Sequence, residues 1–172
     1  PAGDTSATLT ISPSDDSIDE VNETIILTPW AGGGGGASLA SSSDITITIN
    51  DNDNPPLVTS VTSSTSNGSY KSGNTLSIQV VFDKAVTVTG TPQITLETGS
   101  SDAVVNYSIG TGTNTLTFNY TVAAGHTSSD LDYVATSSLS LNSGTIKETG
   151  GTSAATLTLP SPGASNSLGA NK

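Results

Sequence analysis

The sequence contains no cysteine and no methionine. Without cysteine there is no disulfide to staple a small domain, and no thiolate to hold zinc or act as a nucleophile. Any cross-link beyond the chain's own packing has to come from a metal ion. Aromatic residues make up 4% of the chain and the single histidine is His126. One histidine excludes the clusters that zinc and redox metals require. Basic residues number four against fifteen acidic ones, a net charge of −11. That balance excludes nucleic acid, whose affinity comes from Lys and Arg on phosphates. No apolar run approaches the ~20 residues of a membrane-spanning helix, so no membrane insertion is expected of this segment.

What the chain has instead is alternation. Ala7–Ser12 alternates with period two, as does Asp44–Asn50, where Ile45, Ile47 and Ile49 share a face. The pattern recurs at Leu76, Ile78, Val80 and Phe82, at Ile94 and Leu96, at Leu116, Phe118, Tyr120 and Val122, and at Leu157 and Leu159. Threonine fills much of the opposite face, the composition of strands with one side in solvent. Turn clusters fall between the runs, among them Ser66–Asn67–Gly68 and Gly110–Thr111–Gly112. Helix signals are missing. Short strands at this spacing predict an all-β chain of antiparallel β-sandwiches.

A boundary is expected at Asp51–Asn52–Asp53–Asn54–Pro55–Pro56, since two prolines cannot continue a paired strand. This gives a first domain at 1–55 and a second at 56–172. Fifty-five residues are too few for a closed sandwich, so the first domain is expected to be incomplete, with its other strands lying outside this sequence or coming from another chain.

Charge divides at the same place. Residues 1–55 hold nine of the fifteen acidic groups and none of the four basic ones, which leaves six acidic groups for residues 56–172. Seven of the nine fall in Asp15–Glu23 and in Asp51–Asn54. If both loops lie at one end of a sandwich their carboxylates repel, and a hard cation with six to eight oxygen ligands relieves that repulsion. Calcium suits such irregular cages better than magnesium. The plainer reading, solvated loop charge, stays open on composition alone.

The stretch Asp15-Asp16-Ser-Ile-Asp-Glu20-Val-Asn-Glu23, with Pro1–Ile11 before it and Ile45-Thr-Ile-Thr-Ile-Asn-Asp51-Asn-Asp53 after it, resembles the central and closing parts of Calx-beta domains. That resemblance implies a calcium-binding β-sandwich with Asp15, Asp16, Glu20, Glu23, Asp51 and Asp53 as ligands. Asn52 stands where many members carry a further Asp, which favours one site over a cluster.

The second domain resembles an Ig-like or cadherin-like repeat of large bacterial surface adhesins. The resemblance runs through Asn67–Thr75, Val86–Leu96, Leu116–Val122, Ser128–Tyr133, Ala155–Pro160 and Ser167–Lys172. In such repeats a strand follows the last of these stretches, so the chain is expected to continue there. Together the resemblances imply tandem Ig-like sandwiches in a non-catalytic, extracellular stalk segment at the cell surface, stiffened by calcium. The implied partners are neighbouring repeats or other copies of the protein.

Two alternatives stand beside it, a filament subunit assembled by strand complementation and a carbohydrate-binding module. For the second, Trp30, Tyr70 or Tyr133 would stack on a cell-surface or matrix polysaccharide. No enzyme is expected. His126 has no G-x-S-x-G serine to serve, and Gly32–Gly36 lacks the lysine of a phosphate loop. Asp130 and Asp132, around Leu131, offer either a second calcium site at a module junction or a solvated loop, of which the loop is expected, and Glu148 is read as a turn residue.

Overall fold

The computed structural model describes residues 8–14, 16, 18–29, 43–51 and 53–172. Two units emerge, Pro1–Asp53 and Asn54–Lys172. Among the described residues, strands account for nearly all regular structure and every strand ladder is antiparallel.

In unit 1, β1 (Glu23–Leu27) pairs antiparallel with β2 (Ile45–Ile49) in the register Glu23↔Ile49, Ile25↔Ile47 and Leu27↔Ile45. Directly opposed residues share a face. Ile25, Leu27, Ile45, Ile47 and Ile49 therefore form one apolar face, with Glu23 at its end. Thr24, Ile26, Thr46 and Thr48 form the other. No described residue of unit 1 is buried, and Ile26 and Ile45 are exposed. The alternation expected to make a strand of Ala7–Ser12 finds no ladder: residues 8–12 are unpaired, and Ala7 lies outside the described residues. A third strand needs an edge partner, which amphipathic patterning alone does not supply.

Unit 2 holds β3 (Val58–Ser63), β4 (Thr75–Thr89), β5 (Gln93–Leu96), β6 (Ala103–Ile109), β7 (Thr113–Thr121), β8 (Leu139–Ser140) and β9 (Thr145–Glu148), then a single helical turn, α1 (Leu168–Asn171). The sheet order is β3-β4-β7-β6-β5-β8, with β9 on β4. Two strands turn corners. The first half of β4 pairs with β3 and β7; after a break in register between Val81 and Val86 its last four residues pair with β9. β6 pairs with β5 through Ala103–Asn106 and with β7 through Tyr107–Ile109. Strands that change partners at a bend let a continuous sheet fold over itself as a sandwich. Side chains from both halves meet in one core, including Ile78, Val80, Phe82, Leu116 and Phe118 from one and Ile94, Leu96, Val105, Leu139 and Ile146 from the other. The β6–β7 hairpin turns on Gly110 (φ +121°), where a Cβ would sit 2.1 Å from the Thr115 carbonyl oxygen.

Unit 2 begins at Asn54 because the proline segment is hydrogen-bonded to it. Thr156 N–H donates to Pro56 O (2.9 Å), Leu57 N–H to Asp83 Oδ1 (2.8 Å) and Asp83 N–H to Leu57 O (3.0 Å). At the other end of the unit, α1 was not foreseen. Ser167 caps it by accepting from Ala170 N–H at 3.3 Å. The turn closes an open edge: on β3, Val61 N–H donates to Asn166 O (2.9 Å) and Val61 O accepts from Asn171 Nδ2 (2.8 Å). Capping an edge with a polar turn guards it against pairing with other chains. The expected Leu157/Leu159 strand is reduced to isolated bridges at Ala154 and Thr156, with Pro160 directly after it.

Tyr133 plugs the core from the long loop 122–138. It is 1% exposed, and its Oη donates to Pro160 O at 2.6 Å. Burial, and then the charge of Asp132, push its phenol up to about 12 from 10.0. An acid whose pKa is higher folded than unfolded binds its proton more tightly when folded. Its contribution is therefore complete below pH 10 and lost as pH rises through about 12. Urea midpoints measured across that window should fall for the wild type. In Tyr133→Phe, already weaker by about 1 kcal/mol for the lost hydrogen bond, this part of the fall should vanish.

Candidate metal centre

The antiparallel register decides where the acidic loops go. Glu23 opens β1 and Ile49 closes β2, and the two are paired. The segment entering β1 and the segment leaving β2 therefore meet at the same end of the ribbon, although ~30 residues separate them. Hydrogen bonds lock them together: Asp51 N–H donates to Asn22 Oδ1 (2.9 Å), and Glu20 N–H donates to Asp51 Oδ2 (3.2 Å). Within each segment a carboxylate closes a tight turn. Asp16 Oδ1 accepts from Ile18 N–H (2.9 Å) and Asp51 Oδ1 from Asp53 N–H (3.2 Å), the local bonding for which aspartate is favoured in loops.

A cleft of about 420 Å³ results, and Asp16, Glu20, Glu23, Asp51 and Asp53 all line it. Ile47 and Ile49 from the ribbon and Ile11 from the preceding segment provide apolar wall. Five of the six candidate ligands are thus brought to one cleft. Asp15 lies outside the described residues, as do Trp30 and Gly32–Gly36.

The donor set is chemically consistent with calcium: it is all oxygen, mostly carboxylate, with no nitrogen or sulfur ligand to favour a softer metal. Among the described residues no three acidic or histidine side chains already stand close enough to share one ion. Asp51 holds both loops through backbone N–H groups, and each of its oxygens retains a free lone pair. Asp16, Glu20 and Glu23 are exposed, so turning them inward costs little more than rotamer freedom. Asn22 is the residue that sequence reasoning missed. Its amide oxygen joins the two acidic segments.

In unit 2 the acidic side chains have other work. Asp132 accepts from its own residue's neighbour, Tyr133 N–H, and from Gly163 N–H, both at 2.9 Å; it is a clasp between two loops. Glu148, expected as a turn residue, ends β9 and pairs with Lys84 at 3.2 Å. Lys84 Nζ also donates to Asn54 O at 2.7 Å. The signal was present in the alternation, because Lys84 falls in the inward phase set by Ile78, Val80, Phe82 and Val86. Tyr133 offers no face to a sugar, being buried.

Comparison with protein-family models, with curated proteins and with solved structures returned no match.

Glu148 Oε2 is buried with no hydrogen-bond partner, so the lysine is its main compensation. Lys84→Met should destabilise unit 2 by about 1–3 kcal/mol, less than for a fully buried pair because both groups keep some solvent. Adding Glu148→Leu should recover most of that loss in urea unfolding. Additive losses would show that the pair is not coupled.

Proposed function

We propose that this chain is a non-catalytic structural segment of a large extracellular surface protein, built from tandem Ig-like sandwiches and stiffened by calcium bound in unit 1. The observation that carries the reading is the convergence of Asp16, Glu20, Glu23, Asp51 and Asp53 on one cleft. Segments so far apart in sequence have no local reason to pool five carboxylates, and no lysine or arginine occurs anywhere in unit 1 to offset them. A hard cation removes that repulsion and ties the entry of β1 more firmly to the exit of β2. The resemblance of the same residues to a Calx-beta calcium site supports the choice of ion. The resemblance of unit 2 to adhesin repeats supports the extracellular stalk and its neighbouring repeats as partners. Asn54–Leu57, hydrogen-bonded to unit 2, would give such a stalk a fixed departure point.

Calorimetric titration of the chain should detect one calcium site. Calcium should raise the unfolding temperature of unit 1 and EDTA should return it, with magnesium much less effective. Glu20→Gln with Asp51→Asn should abolish both effects. An unfolding temperature indifferent to calcium and to EDTA would refute the proposal.

A second reading, assembly through strand complementation, is favoured by the apolar ribbon face of Ile25, Leu27, Ile45, Ile47 and Ile49, on which Ile45 is exposed and the other four are only half-buried. A two-stranded ribbon is marginal alone, and a strand added from another copy would widen it at an edge and lengthen that apolar face. Sedimentation should then show concentration-dependent association that Ile47→Lys removes. A chain monomeric at every concentration rules this reading out.

A further inference from the structure

A second cleft, of about 530 Å³, opens in unit 2 between the β3–β4 loop and the β7–β8 loop. It lies where Thr75 pairs with Thr121 and both loops leave the sheet. Its volume falls in the ~300–1,000 Å³ range of small-molecule sites.

The floor is apolar, with Leu76, Val122 and Leu131 half-buried around Tyr120. The walls are hydroxyls and amides. Some of these are spent on backbone: Thr65 Oγ1 accepts from Ser77 N–H (2.9 Å), and Ser128 Oγ donates to Asp130 O (2.8 Å). Asn67, Ser69 and Ser129 line the same cleft and are exposed. Among the described residues their side chains make no hydrogen bond to protein. Only Asp130 and Lys172 bring charge, one of each sign.

Two rings are held ready. Tyr70, 38% exposed, is tied down by its hydroxyl, which donates to Ser66 O, and its ring packs 3.8 Å from where a Cβ on Gly68 would stand. His126 stacks on Tyr120 with ring centroids 5.8 Å apart and planes 15° from parallel. Its Nδ1 lies 2.8 Å from Tyr120 Oη and 3.4 Å from Ala123 N. A backbone N–H only donates, so Nδ1 is the acceptor and the neutral ring carries its proton on Nε2. Burial raises the pKa of Tyr120, so its phenol keeps the proton it donates. Among the described residues Nε2–H is a donor not spent on protein.

We infer that this cleft binds a short neutral saccharide, with Tyr70 as the stacking face and with His126 Nε2–H and the Asn67 amide bonding to sugar hydroxyls. An apolar floor under uncharged donors and acceptors matches a pyranose, whose faces are apolar and whose rim is hydroxyl. The balanced rim gives an anion or a cation nothing to select, and the net charge of −11 opposes acidic polysaccharides. The inference is independent of the calcium proposal, since every residue it uses is in unit 2.

The test is an amide-resolved NMR titration of the full chain with maltotriose, cellotriose, mannotriose and chitotriose, with trigalacturonate as the acidic control. At least one neutral trisaccharide should move resonances confined to 66–70 and 126–131. Tyr70→Ala and His126→Ala should each weaken that binding about tenfold, the size of a lost ring contact or hydrogen bond. Both side chains are partly exposed, so unchanged amide spectra elsewhere will show that the variants fold. Tyr70→Phe keeps the ring and should retain most of the affinity. Silence from all four neutral sugars overturns the inference. So does a response to trigalacturonate alone, or binding that survives Tyr70→Ala undiminished.

Discussion

Unit 2 depends on the course of β4. This one strand pairs with β3, β7 and β9, and it does so by bending between Val81 and Val86. Through the bend the inward phase never slips: Ile78, Val80, Phe82 and Val86 are all buried, and Leu76 and Val88 at the ends are partly so. A slip of one residue would turn that whole set to solvent. The break falls where the strand exchanges β3 for β9, and Asp83 and Lys84 use it to reach the proline segment and Glu148. The corner is thus where the sandwich folds over and where the preceding chain is attached.

How legible this was depended on how local the cause is. Strands such as β2, β4, β5 and β7 were readable because alternation is a property of the segment itself. Residues 8–12 and Leu157–Leu159 alternate as clearly but make no strand, because pairing needs an edge that no local pattern reveals. The turn α1 was invisible for a related reason. Ser167-Leu168-Gly169-Ala170 is a weak helix start, and its placement is secured by β3, more than a hundred residues earlier. At the acidic cleft the residue types were legible and their convergence follows from the β1–β2 register. The bonds of Asn22 and Asp51, which set the geometry, were not legible. The second cleft was hardest to foresee, since its serines, threonines and lone histidine look like any loop of this composition until the fold brings two loops together.

The two units answer the lack of cysteine in different ways. Unit 2 holds its long loops with polar side chains on backbone: Asp132 joins 131–133 to 163, Tyr133 reaches Pro160, and Ser63 and Thr65 secure the start of the β3–β4 loop. Each such bond is worth only about 0.5–1.5 kcal/mol net, and those of Tyr133 and Ser63 also spare a buried hydroxyl the larger cost of going unpaired. All of them rest on a core containing both phenylalanines and two buried tyrosines.

Unit 1 has no such core among its described residues, and its two strands cannot support loops in the same way. The charge distribution follows the same division. In unit 2 the carboxylates of Asp83, Glu97, Asp132 and Glu148 are committed to backbone amides or to Lys84, and all four basic residues lie in that unit. In unit 1 five carboxylates, Asp16, Glu20, Glu23, Asp51 and Asp53, line one cleft at one end of a thin ribbon, with no basic residue in the unit. A cation bound there would steady the contacts that join the two acidic segments. An ion would do for unit 1 what the aromatic core does for unit 2. This is why the acidic cleft, with its weaker packing, is the more informative of the two about how the chain works.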